Sequence, residues 1–346
     1  MKHLICFVWP STKVNHTGMS HMCDLLCDEY SDEFRVFKIY PKPTKLYSKI
    51  VILNKIIRFV LRKYHTIKHN INYHIFLGKI KPGDEIYLLE YLLPECDQLF
   101  LAKKLKSMVV DLKIYGLAHL TPSALLTVLT KTEIEEWTNQ IDYILTLGSS
   151  LSLFLEKCKI YREKIKTGFH YVDNVYYKPF QRINANKKMR VITIGNLQRN
   201  FILLEKIVQR LQNIDFVVFS GGNKAVESVF CRYSNVMIKG YINECELRFE
   251  MNQADISLNV MEDTVGSNVI TTSLAMGLAM VVSDVGSIRD YCNEDCAFFC
   301  NNEDEYVDAI KALTSNSTLL QNKRKEAFEI SKRLSIGEFY NFLKSI

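Results

Sequence analysis

"SNVITTSLAMGLAMVVSDVGS", Ser267 to Ser287, decides how this chain is read. It opens on hydroxyls and an amide (Ser267, Asn268, Thr271, Thr272), reaches Gly277 through small residues, and continues as an apolar run that stops at Ser283-Asp284. Ser267 or Asn268 suits the N-cap of a helix over 269–276, because a short side-chain oxygen can accept from the first-turn amides. Gly277 can end that helix, since glycine takes a positive φ without a Cβ penalty. "AMVVSD" then reads as a buried strand ending on "SDVGS", which sets Asp284 and Gly286 at the rim of a sheet. Free amides at the positive end of a helix dipole make an anion site. Caps that carry no charge leave that site open to an outside phosphate. An ordinary capped helix between two strands would share the pattern, so the surroundings must decide.

Working outward, short β-branched runs alternate with amphipathic ones. Strands are expected over 4–9, 35–40, 85–89, 108–115 and 143–147, then over 190–194, 215–219, 236–239, 256–260, 279–283 and 297–299. Helices are expected between them, over 21–30, 132–139, 150–157, 203–213 and 243–252 among others. That alternation predicts parallel sheets with right-handed crossovers. A chain of 346 residues exceeds one ordinary core and fits two such domains. The seam is expected near "YYKPFQRINANKKMR", where Pro179 and a basic loop precede a fresh strand. Ligands of such sheets sit at the carboxyl ends of strands, and two such edges can face each other across a cleft.

Composition is that of a folded protein, 48% hydrophobic and 24% charged, without repeats or low-complexity tracts. "MKHLICFVWPS" reads as a first strand and not as a signal peptide, and no apolar run is long enough to span a membrane. A cytoplasmic protein is expected. Ten cysteines, most of them single and in apolar surroundings (Cys6, Cys96, Cys158, Cys231), fit reduced thiols. Cys292, Cys296 and Cys300 invite a metal reading, but no His lies near them, and strand alternation in "CAFFC" separates their side chains. No metal is expected.

Charge is uneven. Net charge is +6, yet the stretch from Phe34 to Gly83 holds twelve Lys and Arg and no Asp or Glu, leaving the remainder net acidic. Within 44–69, Leu46, Ile50, Leu53, Ile57 and Val60 fall on one helical stripe, with Lys49, Lys55, Arg58, Arg62 and Lys63 around the other side. Two readings stand: a surface helix packed on its own sheet with a solvated basic face, or a basic amphipathic helix resting on an anionic membrane. Nucleic acid is not expected, because aromatic interleaving and recognised binding motifs are missing. A nicotinamide-dependent oxidoreductase on similar sheets is not expected either, since no G-x-G-x-x-G follows the first strand and "SGG" at Ser220–Gly222 is too little.

"ADISLNVMEDTVGSNVITTSLAMGLAMVVSDVGSIRDY" resembles the donor-site region of glycosyltransferase family 4, whose members have the GT-B fold and typically read A-D-I, a strand, then E-G-F-G-x4-E-A-M-A-x-G-x-P-V-V-A-S-D-x-G-G. The match lies in Ala254-Asp255-Ile256, Leu274-Ala275-Met276-Gly277 and Val281-Val282-Ser283-Asp284-Val285-Gly286. "IDYILTLGSSLSLFLEK" resembles the end of the family's first domain, "TGFHYVDNVYYKP" its crossover, "RVITIGNLQRN" the first strand of its second domain, and "NVMIKGYINECELRFEMNQAD" the segment before A-D-I. The resemblance is strong from about residue 141 to 310. It implies an α/β chain of GT-B architecture, two Rossmann-like doubly wound domains facing across a cleft. These are an acceptor-side domain over 1–180, a nucleotide-sugar domain over 181–330, and a C-terminal helix over 331–346 that crosses back to the first domain.

The resemblance also implies a retaining, metal-independent hexosyltransferase (EC 2.4) that uses no cofactor beyond a UDP- or GDP-linked sugar. Its acceptor would be a glycan or lipid-linked glycan in bacterial surface polysaccharide assembly (lipopolysaccharide O-antigen or capsule), met at the inner face of the cell membrane. The implied donor-binding residues are Gly195, Asn196, Asp263, Gly266, Ser267, Asn268, Val269 and Thr272. Arg199, Glu262 and His119 take the catalytic roles, with His16 and Gly18 of "PSTKVNHTGMSH" on the acceptor side. Departures are specific. Thr272 replaces the Glu that usually grips the ribose, Asn196 replaces the Arg of "GR", and the first motif Glu aligns near Val265, so Glu262 or Asp263 would supply the acid facing the sugar. A non-catalytic GT-B binding protein, or a partner subunit of another glycosyltransferase, is the alternative that these departures favour.

Overall fold

A computed structural model describes residues 1–8, 15–42, 50–108, 111–182 and 189–346. Trp9, Leu46, Lys45 and Lys49 lie outside the described residues, as do parts of the expected seam and of the strand over 108–115. The chain divides into two compact units, Met1–Gly168 with Ile346, and Phe169–Ser345.

In chain order the first unit contains β1 (Lys2–Phe7), α1 (Met19–Glu29), β2 (Phe34–Ile39), α2 (Val51–Leu77), β3 (Glu85–Leu88) and α3 (Gln98–Lys106). It continues with β4 (Lys113–Ala118), α4 (Pro122–Val128), α5 (Lys131–Thr138), β5 (Tyr143–Thr146), α6 (Ser149–Lys157) and β6 (Ile165–Thr167). All its strands are parallel, in the order β2-β1-β3-β4-β5-β6. The order reverses direction between β1 and β3, so the loops after these two strands diverge to opposite faces and open a crevice at their carboxyl ends. β4 begins later than expected. Its register is set by β3, with Tyr87 opposite Tyr115 and their rings stacked at 4.5 Å, and by Gly116, where a methyl group would meet the Tyr91 ring at 2.6 Å.

The second unit contains β7 (Arg190–Thr193), α7 (Phe201–Arg210), β8 (Asp215–Phe219), α8 (Lys224–Phe230), β9 (Val236–Lys239) and α9 (Glu244–Gln253). Then come β10 (Ile256–Asn259), α10 (Asn268–Ala275), β11 (Ala279–Ser283), α11 (Ile288–Tyr291), β12 (Ala297–Cys300), α12 (Glu303–Ser315), α13 (Ser317–Ser331) and α14 (Ile336–Ser345). Its parallel order is β12-β11-β10-β7-β8-β9, with the reversal between β7 and β10. Alternation along the strands supplies both faces. Val191, Phe216, Val218, Leu258 and Val281 point to one core, and Ile192, Val217, Met280 and Val282 to the other. Burial on both faces explains why these strands are continuous apolar runs.

Asp255 of the A-D-I motif has a structural explanation. Oδ1 accepts from Arg182 Nη1 at 2.6 Å and from Arg324 Nη1 at 3.2 Å, while Oδ2 accepts from the Arg190 amide at 3.0 Å. One carboxylate thus fastens the start of β7 and α13 to the start of β10. Gly277 ends α10 as expected. It takes φ +61°, and the Leu278 amide donates back to Ser273 O at 3.1 Å, closing a left-handed helix cap.

Candidate functional site

The reversal between β7 and β10 places two loops side by side at the carboxyl rim of the second sheet. Residues 194–200 follow β7, and residues 260–267 follow β10 and lead into α10. A short antiparallel bridge joins them: Arg199 pairs with Met261, the Asn200 amide donates to Val260 O at 3.1 Å, and the Glu262 amide donates to Gln198 O at 3.0 Å. The Met261 amide donates to Ser283 Oγ at 2.6 Å, and that hydroxyl lies 2.6 Å from Tyr306 Oη, so the rim is also tied to β11 and α12.

Ser267 is the N-cap of α10. It takes an extended backbone, and its Oγ accepts from the Ile270 amide at 3.4 Å. The amides of Asn268 and Val269 precede the helical ladder, and the first turn carries no acidic residue. Ser267→Ala removes the cap bond, and unfolding by denaturant is expected to show a loss of about 1 kcal/mol.

Arg199 lies against this helix start. A methyl group built on Gly195 would touch Arg199 Nη2 at 3.5 Å, Arg199 Nε at 3.6 Å and Val269 Cγ2 at 3.6 Å, so the three residues converge. Gly195 itself takes φ +92°, a conformation that disfavours any side chain. Arg199 Nε and Nη1 are sealed from solvent and have no hydrogen-bond partner. Desolvation lowers the pKa of the guanidinium to about 10, with the Tyr306 hydroxyl acting weakly the other way, so it stays charged at neutral pH. A buried cation with two unpaired donors, beside the first amides of a helix, has the chemistry to hold an anion.

The other residues divide. Gly266 has φ +99° and packs so closely on buried Tyr291 that a methyl group would meet its Cζ at 2.5 Å. Tyr291 Oη in turn accepts from the His170 amide at 2.7 Å, which ties the crossover segment to the site loop. Glu262 is exposed at the rim. Asp263 Oδ1 instead accepts from the Thr264 amide at 2.8 Å and lies beside Gly286. Asn196 turns away from α10, its Nδ2 donating to Ser220 O at 2.6 Å, with Oδ1 buried and unpaired. Thr272 is 5% exposed, and its hydroxyl proton goes to Asn268 O at 2.6 Å, leaving only lone pairs for a ligand. Asp284 forms a two-point pair with Arg289 (2.8 and 2.9 Å), which holds its carboxyl below the usual range.

In the first unit, His119 follows β4 at the carboxyl rim and lies 3.4 Å from Glu90 Oε2, Glu90 following β3. Glu90 is 3% exposed and is held by its backbone, whose amide donates to Gln98 Oε1 at 3.1 Å. The sequence reading missed it, although an acid inside the apolar run "YLLEYLLP" was a visible signal. His16 packs edge to face on His21 at 4.7 Å, and Gly18 is the N-cap of α1. Both follow β1, beside the reversal between β1 and β3. Cys292, Cys296 and Cys300 are buried free thiols.

Residues 188–316 match the family model described as Glycosyl transferases group 1. No curated protein matches the sequence. Among solved structures, sucrose-phosphate synthase from Thermosynechococcus elongatus is similar over 100% of both chains (TM-score 0.70, 11% identity). HepE from Anabaena, solved with UDP and glucose, is similar over 100% of this chain and 99% of its own (TM-score 0.68, 11% identity). A lipopolysaccharide outer core galactosyltransferase is similar over 100% and 99% (TM-score 0.69, 14% identity). The chain therefore has the GT-B fold, and its second unit carries the sequence signature of the glycosyl transferases group 1 family.

Proposed function

We propose that this protein is a retaining, metal-independent glycosyltransferase. It moves a hexosyl group from a UDP- or GDP-linked sugar to a glycan or lipid-linked acceptor of a bacterial surface polysaccharide, at the inner face of the cell membrane. The observation that carries the reading is Arg199, a buried guanidinium with Nε and Nη1 unpaired beside the start of α10. A nucleoside diphosphate satisfies both at once. In the reaction, the acceptor hydroxyl oxygen bonds to the sugar's anomeric carbon on the face from which the diphosphate departs, and the acceptor proton passes to a diphosphate oxygen. Negative charge grows on that oxygen as the bond breaks, and Arg199 with the Asn268 and Val269 amides stabilises it. Glu262, exposed at the same rim, is the group assigned to the donor sugar's hydroxyls, and His119 keeps the catalytic role that the family resemblance implies.

A second reading keeps the nucleotide seat without turnover, in a binding protein or a partner subunit. Thr272, whose proton is already committed, and Asn196, which points to Ser220, favour it. One experiment addresses both. Melting is followed with UDP, GDP, ADP and CMP separately. A ligand that binds only the folded protein adds about 2.7 kcal/mol at a hundredfold excess over Kd. UDP or GDP is expected to raise the melting temperature, and the effect should vanish in Arg199→Ala. A nucleotide shift with no sugar transfer to any acceptor extract would favour the second reading. No shift with any of the four would sink both.

A further inference from the structure

The basic segment does not present the face that its hydropathy pattern suggests. α2 is anchored to its own unit by polar and aromatic residues. His69, 1% exposed, has Nδ1 at 2.9 Å from Asp97 Oδ2 and Nε2 at 2.7 Å from Tyr40 O. Lys42 Nζ donates to the same carboxylate at 2.6 Å, and Tyr73 Oη donates to Cys96 O at 2.7 Å. Asn54 and Phe76 are buried on this side too. The opposite face is apolar and open. Ile52, Ile56, Phe59, Ile67, Ile71 and Ile75 are each 53–72% exposed, and their spacings of three, four and eight residues align them into one stripe roughly 35 Å long. Lys63 fills the gap in that stripe, its Nζ 5.8 Å from the Phe59 ring centre. Burying this stripe on the sheet would require breaking the His69–Asp97 anchor.

A patch of this length and composition marks an interaction site. Its charge indicates the occupant. α2 carries Lys55, Arg58, Arg62, Lys63 and Lys68 and no acidic residue. Arg62 lies 3.9 Å from Glu95 Oε1, and a second copy packed on the same face would set the other four against themselves with no acidic residue on α2 to neutralise them. We propose that the outer face of α2 lies in an anionic lipid surface, its isoleucines and Phe59 among the acyl chains and its lysine and arginine heads reaching the phosphates. This deepens the membrane part of the reading above but stands on α2 alone.

The test is flotation of the full chain with phosphatidylcholine vesicles, with and without phosphatidylglycerol. Binding is expected with phosphatidylglycerol and little without it. Each Lys at the surface contributes about fivefold, so Lys55→Gln/Lys63→Gln/Lys68→Gln is expected to bind on the order of a hundredfold more weakly. Ile56→Ser/Phe59→Ser/Ile67→Ser is expected to lose binding while keeping its circular dichroism, since these side chains are exposed. Phe59→Trp should shift its emission to the blue on anionic vesicles. Failure of the wild type to float with phosphatidylglycerol overturns the proposal, as does binding that the serine variant retains. Self-association in the absence of lipid that the serine variant abolishes would give the face to a second copy instead. Nucleotide-dependent melting is read on the same variants and should be unchanged, so failure here is distinguishable from failure of the donor site.

Discussion

Arg199→Met is expected to make the nucleotide-free protein more stable and to abolish its response to nucleotide. Most arginine substitutions with part-buried heads run the other way. Arg324, for example, donates to Gly277 O at 3.0 Å and to Asp255 Oδ1 at 3.2 Å, and Arg324→Met would remove the Gly277 donor and leave Asp255 Oδ1 with Arg182 alone. Arg199 has no such partners at Nε or Nη1. Its burial therefore carries a desolvation penalty with no compensating bond, and a methionine of similar length fills the space without it. An unsatisfied buried donor costs about 1–3 kcal/mol, which sets the expected gain. It should appear as a higher urea midpoint at unchanged slope. Losing a charge that stabilises the leaving group should lower turnover about 10²–10³-fold, read in single-turnover assays at saturating donor. The opposite signs are the diagnostic. If Arg199→Met destabilises as Arg324→Met does, the guanidinium serves the fold and the anion seat is lost as an explanation.

How far the sequence carried this picture depends on where each decision is made. The strands of the second unit begin where expected; the inner ones are buried on both faces, so their hydropathy is local and continuous, while edge strand β9 is only half-buried. β6 was not foreseen, as "IKT" is too short to announce itself, and its place is fixed by pairing with β5 and by the Thr146–Ser152–Thr167 hydroxyl chain. β4 was read too early because register depends on Tyr87 and Gly116, which no local window weighs together. α2 is the clearest divergence. Its amphipathic pattern was visible, but hydropathy places the apolar side inward, whereas a buried imidazole with two acceptors holds the other side down. In the site, Ser267 and Gly277 behave as their local chemistry requires. Arg199 was legible only through the family resemblance. Its isolation inside the fold arises from the bridge between two loops more than sixty residues apart in sequence.

Gly286→Ala is expected to disable folding and the site together, through the end of the Ser267–Ser287 stretch. Gly286 takes φ +56°, where an alanine costs about 1–2 kcal/mol from backbone geometry alone. The added methyl group would also overlap the Thr264 carbonyl oxygen, meet Asp263 Oδ1 at 2.5 Å and meet the Thr264 amide at 2.7 Å. Two of these atoms are backbone, and Thr264 O is already fixed by the Ser287 amide at 2.7 Å, so the neighbours cannot give way cheaply. Loss of at least about 3 kcal/mol is expected from strain and overpacking combined. Gly222→Ala separates the two causes: φ is +83° there, but nothing lies within 4 Å, so only the backbone cost of about 1 kcal/mol remains. Measured by urea unfolding, a large gap between the two variants assigns the excess to the contact with the Thr264 loop. That loop carries Glu262 and Asp263 and feeds Ser267 into α10, so any survivor of Gly286→Ala must have moved it. Its nucleotide-induced melting shift should then fall even where the fold persists, and a normal shift would mean that the seat does not depend on the loop.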